Sequence, residues 1–339
     1  MIQNTLRIFK YQALGNTYLI LDPQYQVSDR FLEPSNCGVS RPRTQLVQFL
    51  CDASAGVGSN GLLFGPLPTL GKDRFRMLII NSDGTSAGFS GNGTRIFAKY
   101  LMDSKTVRPG ALIELEIPDE ITSPTVRWNN VRIQLPMTSD GPIEVTAPHA
   151  PRFGIEFVSG DPKMCIPLRP MDHSTSIPTY KVLPLSSLGP DEVSNAPPFS
   201  VLLDIGNPHC VTFVSKPQQM PTLEFLRNNE DLKEIAFRSE RSTPLFAHGA
   251  NLQWVWPASR KRLLLTIYER GEGPTPASGS SACAAACAAF GLGLIDNDVE
   301  VAMPGGSLAV RLEGTPTEIS RVSLIGDAHR ILDGIVSIA

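Results

Sequence analysis

Two stretches of this chain share one plan: an apolar run, a turn built from glycine and small polar residues, and a helix directly behind it. The first covers residues 79–101. Its apolar run ends at Asn81, Ser82-Asp83-Gly84 turns the chain, and Ser90-Gly91-Asn92-Gly93 leads into an amphipathic run over 94–101. The second covers 268–290, where Ser278-Gly279-Ser280-Ser281 opens a helix of small residues expected over 283–290. Glycines in front of a helix let the backbone come close to a ligand. A helix start also leaves N–H groups unpaired and carries partial positive charge. Each stretch is therefore a seat for a carboxylate or phosphate. The first is not a phosphate loop, because no Gly-Lys-Ser/Thr follows it. One seat alone reads as a capped helix after a turn. Two, one in each half of the chain, read as half-sites closing on one small acid.

Between and around the seats the pattern is that of strands. Runs over 6–11, 17–22, 61–65, 74–80, 111–117 and 126–135 alternate or stay apolar over strand-like lengths in the first half. Runs over 200–205, 211–214, 252–256, 262–269, 299–302, 308–312, 322–325 and 334–338 do so in the second. A short helix is expected over 44–53, with helical or turn-like pieces over 223–228 and 232–236. Residues 23–45 read as an irregular insertion. The stretch from about 137 to 198 is rich in proline, serine and threonine and reads as an exposed insertion on the way into the second half.

At 339 residues the chain can hold one large domain or two ordinary ones, and 42% hydrophobic residues suffice for sizeable cores. A net charge of −3 gives no sign of a nucleic-acid partner. No apolar run reaches membrane-spanning length and the N-terminus lacks a signal-peptide core, so a cytoplasmic protein without a membrane partner is expected. The six cysteines, Cys37, Cys51, Cys165, Cys210, Cys283 and Cys287, form no CxxC pair and read as free, buried thiols. His149, His173, His248 and His329 show no metal-ligand spacing, so no metal is expected.

Eight motifs in order are similar to those of the diaminopimelate epimerase family. They begin with Phe9-Lys10 through Leu14-Gly15-Asn16, then Gly56-Val57-Gly58 with Gly61-Leu62-Leu63, then Asn81-Ser82-Asp83-Gly84 with Gly91-Asn92-Gly93 and Arg95. Gly206-Asn207-Pro208-His209-Cys210, Asn251, Glu269-Arg270-Gly271, Pro304-Gly305-Gly306-Ser307-Leu308 and Gly326-Asp327-Ala328 complete the order. The resemblance runs nearly end to end. It implies an α+β fold of two pseudo-symmetric β-rich halves, each wrapped around a central helix, with the site in the cleft between them and the last strand returning to the first half. The halves would be 1–136 with about 328–339, and 137–327 carrying the insertion. The implied activity is that of an amino-acid racemase or epimerase, moving a proton at the α-carbon with no pyridoxal, metal or other cofactor. The implied partner is a small amino acid, with a homodimer left open. By the same resemblance Asn81, Asn207, Asn251, Arg270 and Glu269 grip the non-reacting head of the ligand. Asn16 lies near the reacting centre, and the helix starts at Gly91, Asn92, Gly279 and Ser280 hold the carboxylate.

One departure outweighs the matches. Each seat in the family carries a catalytic cysteine before its first glycine; here those positions are Ser90 and Ser278. A thiol has a pKa near 8.5, and a hydroxyl is less acidic by roughly five units or more. Generating the base would cost about 7 kcal/mol extra, against about 0.3–2 kcal/mol supplied by a helix dipole. The serines therefore need an activating group. His209 is the first candidate, on its pKa range, and Glu269 the second. Three readings remain: an isomerase with altered machinery, a lyase or one-base isomerase, and an inactive amino-acid binder. A laboratory Cys→Ser pair fits less well, because Phe89, Pro274, Pro276 and Ser281 depart from the family too. Asn60 replaces a family aspartate.

Overall fold

The computed structural model describes residues 5–25, 27–69, 71, 73–119, 126–148, 150–153, 164–165, 181–182, 199–229, 250–270 and 272–338. The chain forms two compact units, Met1–Pro148 with Ile325–Ala339, and His149–Leu324. Both are sheet-rich, and the fold class is α+β. Among the described residues the α-helices are α1 (Thr44–Cys51), α2 (Gly91–Asp103), α3 (Leu223–Arg227) and α4 (Gly279–Gly291).

In the first unit, strand Thr5–Ala13 turns directly into Asn16–Leu21. Leu14 and Gly15 form a two-residue loop with both φ values positive, 52° and 79°. That is the backbone whose twist suits a tight hairpin. Asn16–Leu21 runs parallel to Gly61–Leu67, which is antiparallel to Arg74–Asn81. Arg74–Asn81 runs parallel to Leu112–Pro118, and Trp128–Gln134 and Ile143–Thr146 follow antiparallel. The last strand, His329–Ser337, pairs with Thr5–Ala13 inside this unit.

The strands are apolar over consecutive residues because both of their faces are covered. Ile20, Leu63, Met77 and Ile79 face α2, whose Ile96, Phe97, Tyr100 and Leu101 complete one core. Their neighbours Leu19, Leu21, Leu62, Phe64, Leu78 and Ile80 point the other way, onto Leu46, Val47 and Leu50 of α1. Successive strand side chains alternate faces, so continuous apolar sequence is what two covers require. Helix α2 is buried from Gly91 to Met102, wrapped by its own unit.

The second unit repeats the plan. Phe199–Asp204 is antiparallel to Pro208–Phe213 across a turn at Gly206 (φ 110°). Pro208–Phe213 is parallel to Asn251–Ser259, which is antiparallel to Arg262–Glu269. Arg262–Glu269 also pairs with Gly273–Thr275 and with Asp298–Met303, and the latter pairs with Gly306–Thr315. Helix α4 is buried over nearly its whole length and consists largely of alanine, serine and cysteine. Both central helices begin one turn before the 94–101 and 283–290 runs expected from sequence. Their first turns are made of Gly, Asn and Ser, poor helix formers that a capping residue holds in place. Cys51, Cys210, Cys283 and Cys287 are buried and in no disulfide, whereas Cys37, expected buried, is half-buried. Most of the 137–198 stretch, the piece over 232–236, and His149, His173 and His248 lie outside the described residues. Among the described residues no helix is long and apolar enough to cross a membrane.

A buried carboxylate ties α2 to the hairpin of the first unit. Asp22 accepts from the Tyr100 hydroxyl and from the Gln24 backbone and side-chain amides, and Asp22 and Tyr100 are each 1% exposed. Tyr100→Phe leaves that carboxylate short of a donor at unchanged shape. The expected cost is about 1–3 kcal/mol, read as a lower urea midpoint at unchanged slope.

Candidate active site

The two seats have nearly the same backbone. Ser90 sits at φ −143°, ψ 115° and Ser278 at φ −144°, ψ 128°, each extended, and each is the N-cap of a thirteen-residue helix. Ser90 Oγ accepts from Gly93 N at 3.1 Å, and Ser278 Oγ accepts from Ser281 N at 3.4 Å. An N-cap oxygen satisfies one orphan donor and leaves the other first-turn amides for a ligand.

Their surroundings differ. In the first seat the Tyr18 hydroxyl donates to Ser90 Oγ at 3.4 Å. Tyr18 can lie there because residue 61 is glycine: a Cβ on Gly61 would come within 2.8 Å of the Tyr18 ring and 2.6 Å of the Ile80 carbonyl. Behind the seat, the fully buried Arg95 donates to Asn92 Oδ1 at 2.6 Å and to Gly91 O at 3.2 Å, which fixes the Asn92 side chain. Asn81 donates to Thr85 Oγ1 at 2.9 Å, closing its own turn. Asn60 accepts from both the N–H and the hydroxyl of Thr17, at 2.9 and 3.1 Å, tying the loop beside Asn16 in place. Asn16 Oδ1 is buried and has no donor among the described protein groups. A buried carbonyl oxygen in that state is costly, and a ligand N–H would satisfy it.

In the second seat Ser278 Oγ donates to Glu269 Oε1 at 2.6 Å. Glu269 ends the strand Arg262–Glu269 and pairs with Gly273 across a tight turn, and Gly273 has φ 77°. That hairpin brings the carboxylate back onto the cap of α4. Burial raises the Glu269 carboxyl above the ordinary carboxylate value, and hydrogen bonds from Ser278 and Thr275 partly offset this. Ser280 Oγ lies 3.4 Å from Ser278 Oγ. Asn251 Oδ1 accepts from the Arg270 backbone N–H at 2.9 Å, which anchors the turn that carries the exposed Arg270 side chain.

His209, the first candidate for activating a serine, has both ring nitrogens engaged elsewhere. Nε2 lies 2.9 Å from the Asn207 amide and Nδ1 lies 2.9 Å from the Gln253 amide. The ring is fully buried, and that burial lowers its pKa to about 3. The group that meets a serine is Glu269. Gln253 and Tyr18 escaped the sequence reading: each looks like an ordinary strand residue, and only its tertiary partners mark it. Ser281 places its hydroxyl 3.0 Å from the Gln253 amide.

The sequence profile of the diaminopimelate epimerase family matches residues 8–130 and 201–331, so both units are covered. The chain belongs to that family. It is 30% identical over 309 residues to diaminopimelate epimerase 2 of Nostoc, spanning 91% of this chain and 89% of the relative. Among solved structures it is similar to a hydroxyproline epimerase from Agrobacterium vitis, at TM-score 0.61 and 13% identity, over 99% of this chain and 94% of that one. It is also similar to a phenazine biosynthesis protein of the PhzF family from Bacillus anthracis, at TM-score 0.58 and 15% identity, over 98% and 99%. The fold is thus the epimerase-type fold of two β-rich halves, each with a central helix.

The depressed pKa of His209 sets an acid limit to stability. The unfolded chain takes up a proton below about pH 6.5 that the folded ring refuses until about 3. Stability is fully present above 6.5 and is lost as pH falls through this window, by at most about 1.4 kcal/mol per pH unit from this residue. His209→Asn is expected to flatten that acid limb in urea unfolding measured from pH 7 to pH 4.

Proposed function

We propose that the chain is an amino-acid isomerase in which the Ser278–Glu269 pair removes the α-proton and Ser90, backed by Tyr18, returns one. The observation that carries this reading is the hydroxyl of a helix-cap serine donating to a carboxylate at 2.6 Å. A free alkoxide is out of reach at neutral pH, but the pair does not need one. As the α-proton arrives on Ser278 Oγ, the hydroxyl proton leaves for Glu269 Oε1. The Cα–H bond breaks, its electron pair moves into the substrate carboxylate, and the base strength drawn upon is that of Glu269. Its burial makes it a stronger base than an exposed glutamate. Unpaired amides at the helix start stabilise the charge that builds on the substrate carboxylate, so the reading calls on no cofactor. Family membership and relatives named as epimerases support proton transfer at an amino-acid α-carbon.

One asymmetry favours a second reading. The bonds recorded at Ser90 Oγ come from a backbone amide and a phenol, whereas Ser278 holds a carboxylate. A single base on the Ser278 side suits a one-base isomerase, which takes the α-proton and returns one from the same face, giving exchange with retention at the α-carbon and isomerisation when the proton is returned to a conjugated position.

Exchange of the α-proton into D2O, followed by NMR on diaminopimelate and a panel of amino acids, tests the proposal. Glu269→Gln and Ser278→Ala are each expected to slow exchange by about 10²–10⁴-fold. Wild-type exchange should fall as pH drops through a pKa above the ordinary carboxylate range, since Glu269 must be ionised to accept. The raised pKa means the fold favours the protonated acid and loses stability as pH rises through that value. Glu269→Gln should therefore be more stable than wild type at neutral pH while being inactive. Wild-type exchange rates in Glu269→Gln would overturn the assignment. Exchange with retention of configuration would select the one-base reading.

A further inference from the structure

The network around His209 fixes more than the ring. The Gln253 side-chain amide is fully buried between two kinds of neighbour. At one end lie the backbone carbonyls of Cys210 and Asn251, 3.1 and 3.3 Å away; at the other lie Ser281 Oγ and His209 Nδ1, 3.0 and 2.9 Å away. Carbonyl oxygens only accept, so the NH2 end of Gln253 must face them. Gln253 Oε1 is then left to accept, from the Ser281 hydroxyl and from an N–H on His209 Nδ1.

The consequence passes through the ring. Among the described residues no carboxylate bonds to the imidazole: Asn207 and Gln253 are amides, and the nearby Arg270 charge disfavours a second positive charge. A neutral ring that carries its proton on Nδ1 presents a bare lone pair at Nε2. Asn207 Oδ1 is placed 2.9 Å from Nε2, where oxygen would face that lone pair with its own, so the amide must be turned over to bring its NH2 group inward. Asn207 is only partly buried, and its carbonyl oxygen is then the end left for a ligand. Had the ring carried its proton on Nε2, Asn207 would offer NH2 instead and would suit a carboxylate.

We propose that Gln253 and Ser281 are positioning residues that lock His209 as the Nδ1–H tautomer, and that through it Asn207 offers its carbonyl oxygen to a donor on the ligand, such as an ammonium. The proposal rests on the isomerase reading only in taking Asn207 for a ligand contact.

The tautomer is read in the ligand-free protein, by ¹⁵N–¹H correlation of the histidine side chains at pH 7, with His209→Asn to assign the signal. The expected spectrum has a protonated Nδ1 and an unprotonated Nε2. Gln253→Met removes the acceptor at nearly constant volume, and its His209 is expected to move to the Nε2–H form. A wild-type ring protonated on Nε2, or on both nitrogens, overturns the lock even if the variant fails to fold. Because no turnover is involved, that failure is distinct from a failure of the deuterium experiment. Calorimetry with two probes reads the consequence: 2-aminopimelate, which lacks one ammonium of diaminopimelate, is expected to bind at least about tenfold more weakly. Equal affinity for the two would contradict the ammonium assignment.

Discussion

On the proposed reading the chemistry turns on one interaction, a hydroxyl proton aimed at a half-buried carboxylate. Ser278 alone would be a poor acid and a poorer base; beside Glu269 it becomes the near end of a two-atom proton path. The low-dielectric surroundings that raise the carboxyl pKa are created by the same packing that seats α4, a helix of small residues that lets neighbouring strands approach closely. A charge held in such a place destabilises the fold at neutral pH. That cost is the counterpart of having a competent base at the helix start.

Around this pair each unit uses one device, a strand that delivers polar side chains to the start of a buried helix. The hairpin at Leu14-Gly15 places Tyr18 beside the α2 cap, and the hairpin after Glu269 places the carboxylate on the α4 cap. Both helices are buried nearly all round, so their first turns cannot shift without disturbing a core. Arg95 and Gln253 then hold the seat side chains from behind, the first through Asn92 and the second through His209. The two caps share their backbone geometry and differ in the partners of their hydroxyls.

Much of this was legible in the sequence. Apolar runs of strand length marked the strands, and the serine–glycine openings marked the caps, because capping and strand burial are local physics written into neighbouring residues. The first turns of α2 and α4 were harder to see, since Gly91, Asn92, Gly279 and Ser280 have low helix propensity and are held by the cap and by tertiary packing. Side-chain pairings were hardest. Nothing in residues 269–278 says that the chain folds back so that Glu269 reaches Ser278. Nothing near Gln253 says that its amide will meet a histidine 44 residues earlier. Titration habits favoured His209 as the activating group; burial and two amide partners leave it neutral and occupied.

The central claim is that two protons move together at the Ser278 seat, and a double isotope experiment tests it most directly. The rate of α-proton removal is measured with α-protonated and α-deuterated substrate, each in H2O and in D2O. A concerted transfer from carbon to Ser278 and from Ser278 to Glu269 predicts a substrate effect and a solvent effect that are both retained when the other atom is already deuterium. A solvent effect that disappears with the α-deuterated substrate would place the hydroxyl proton in a separate step and contradict the account.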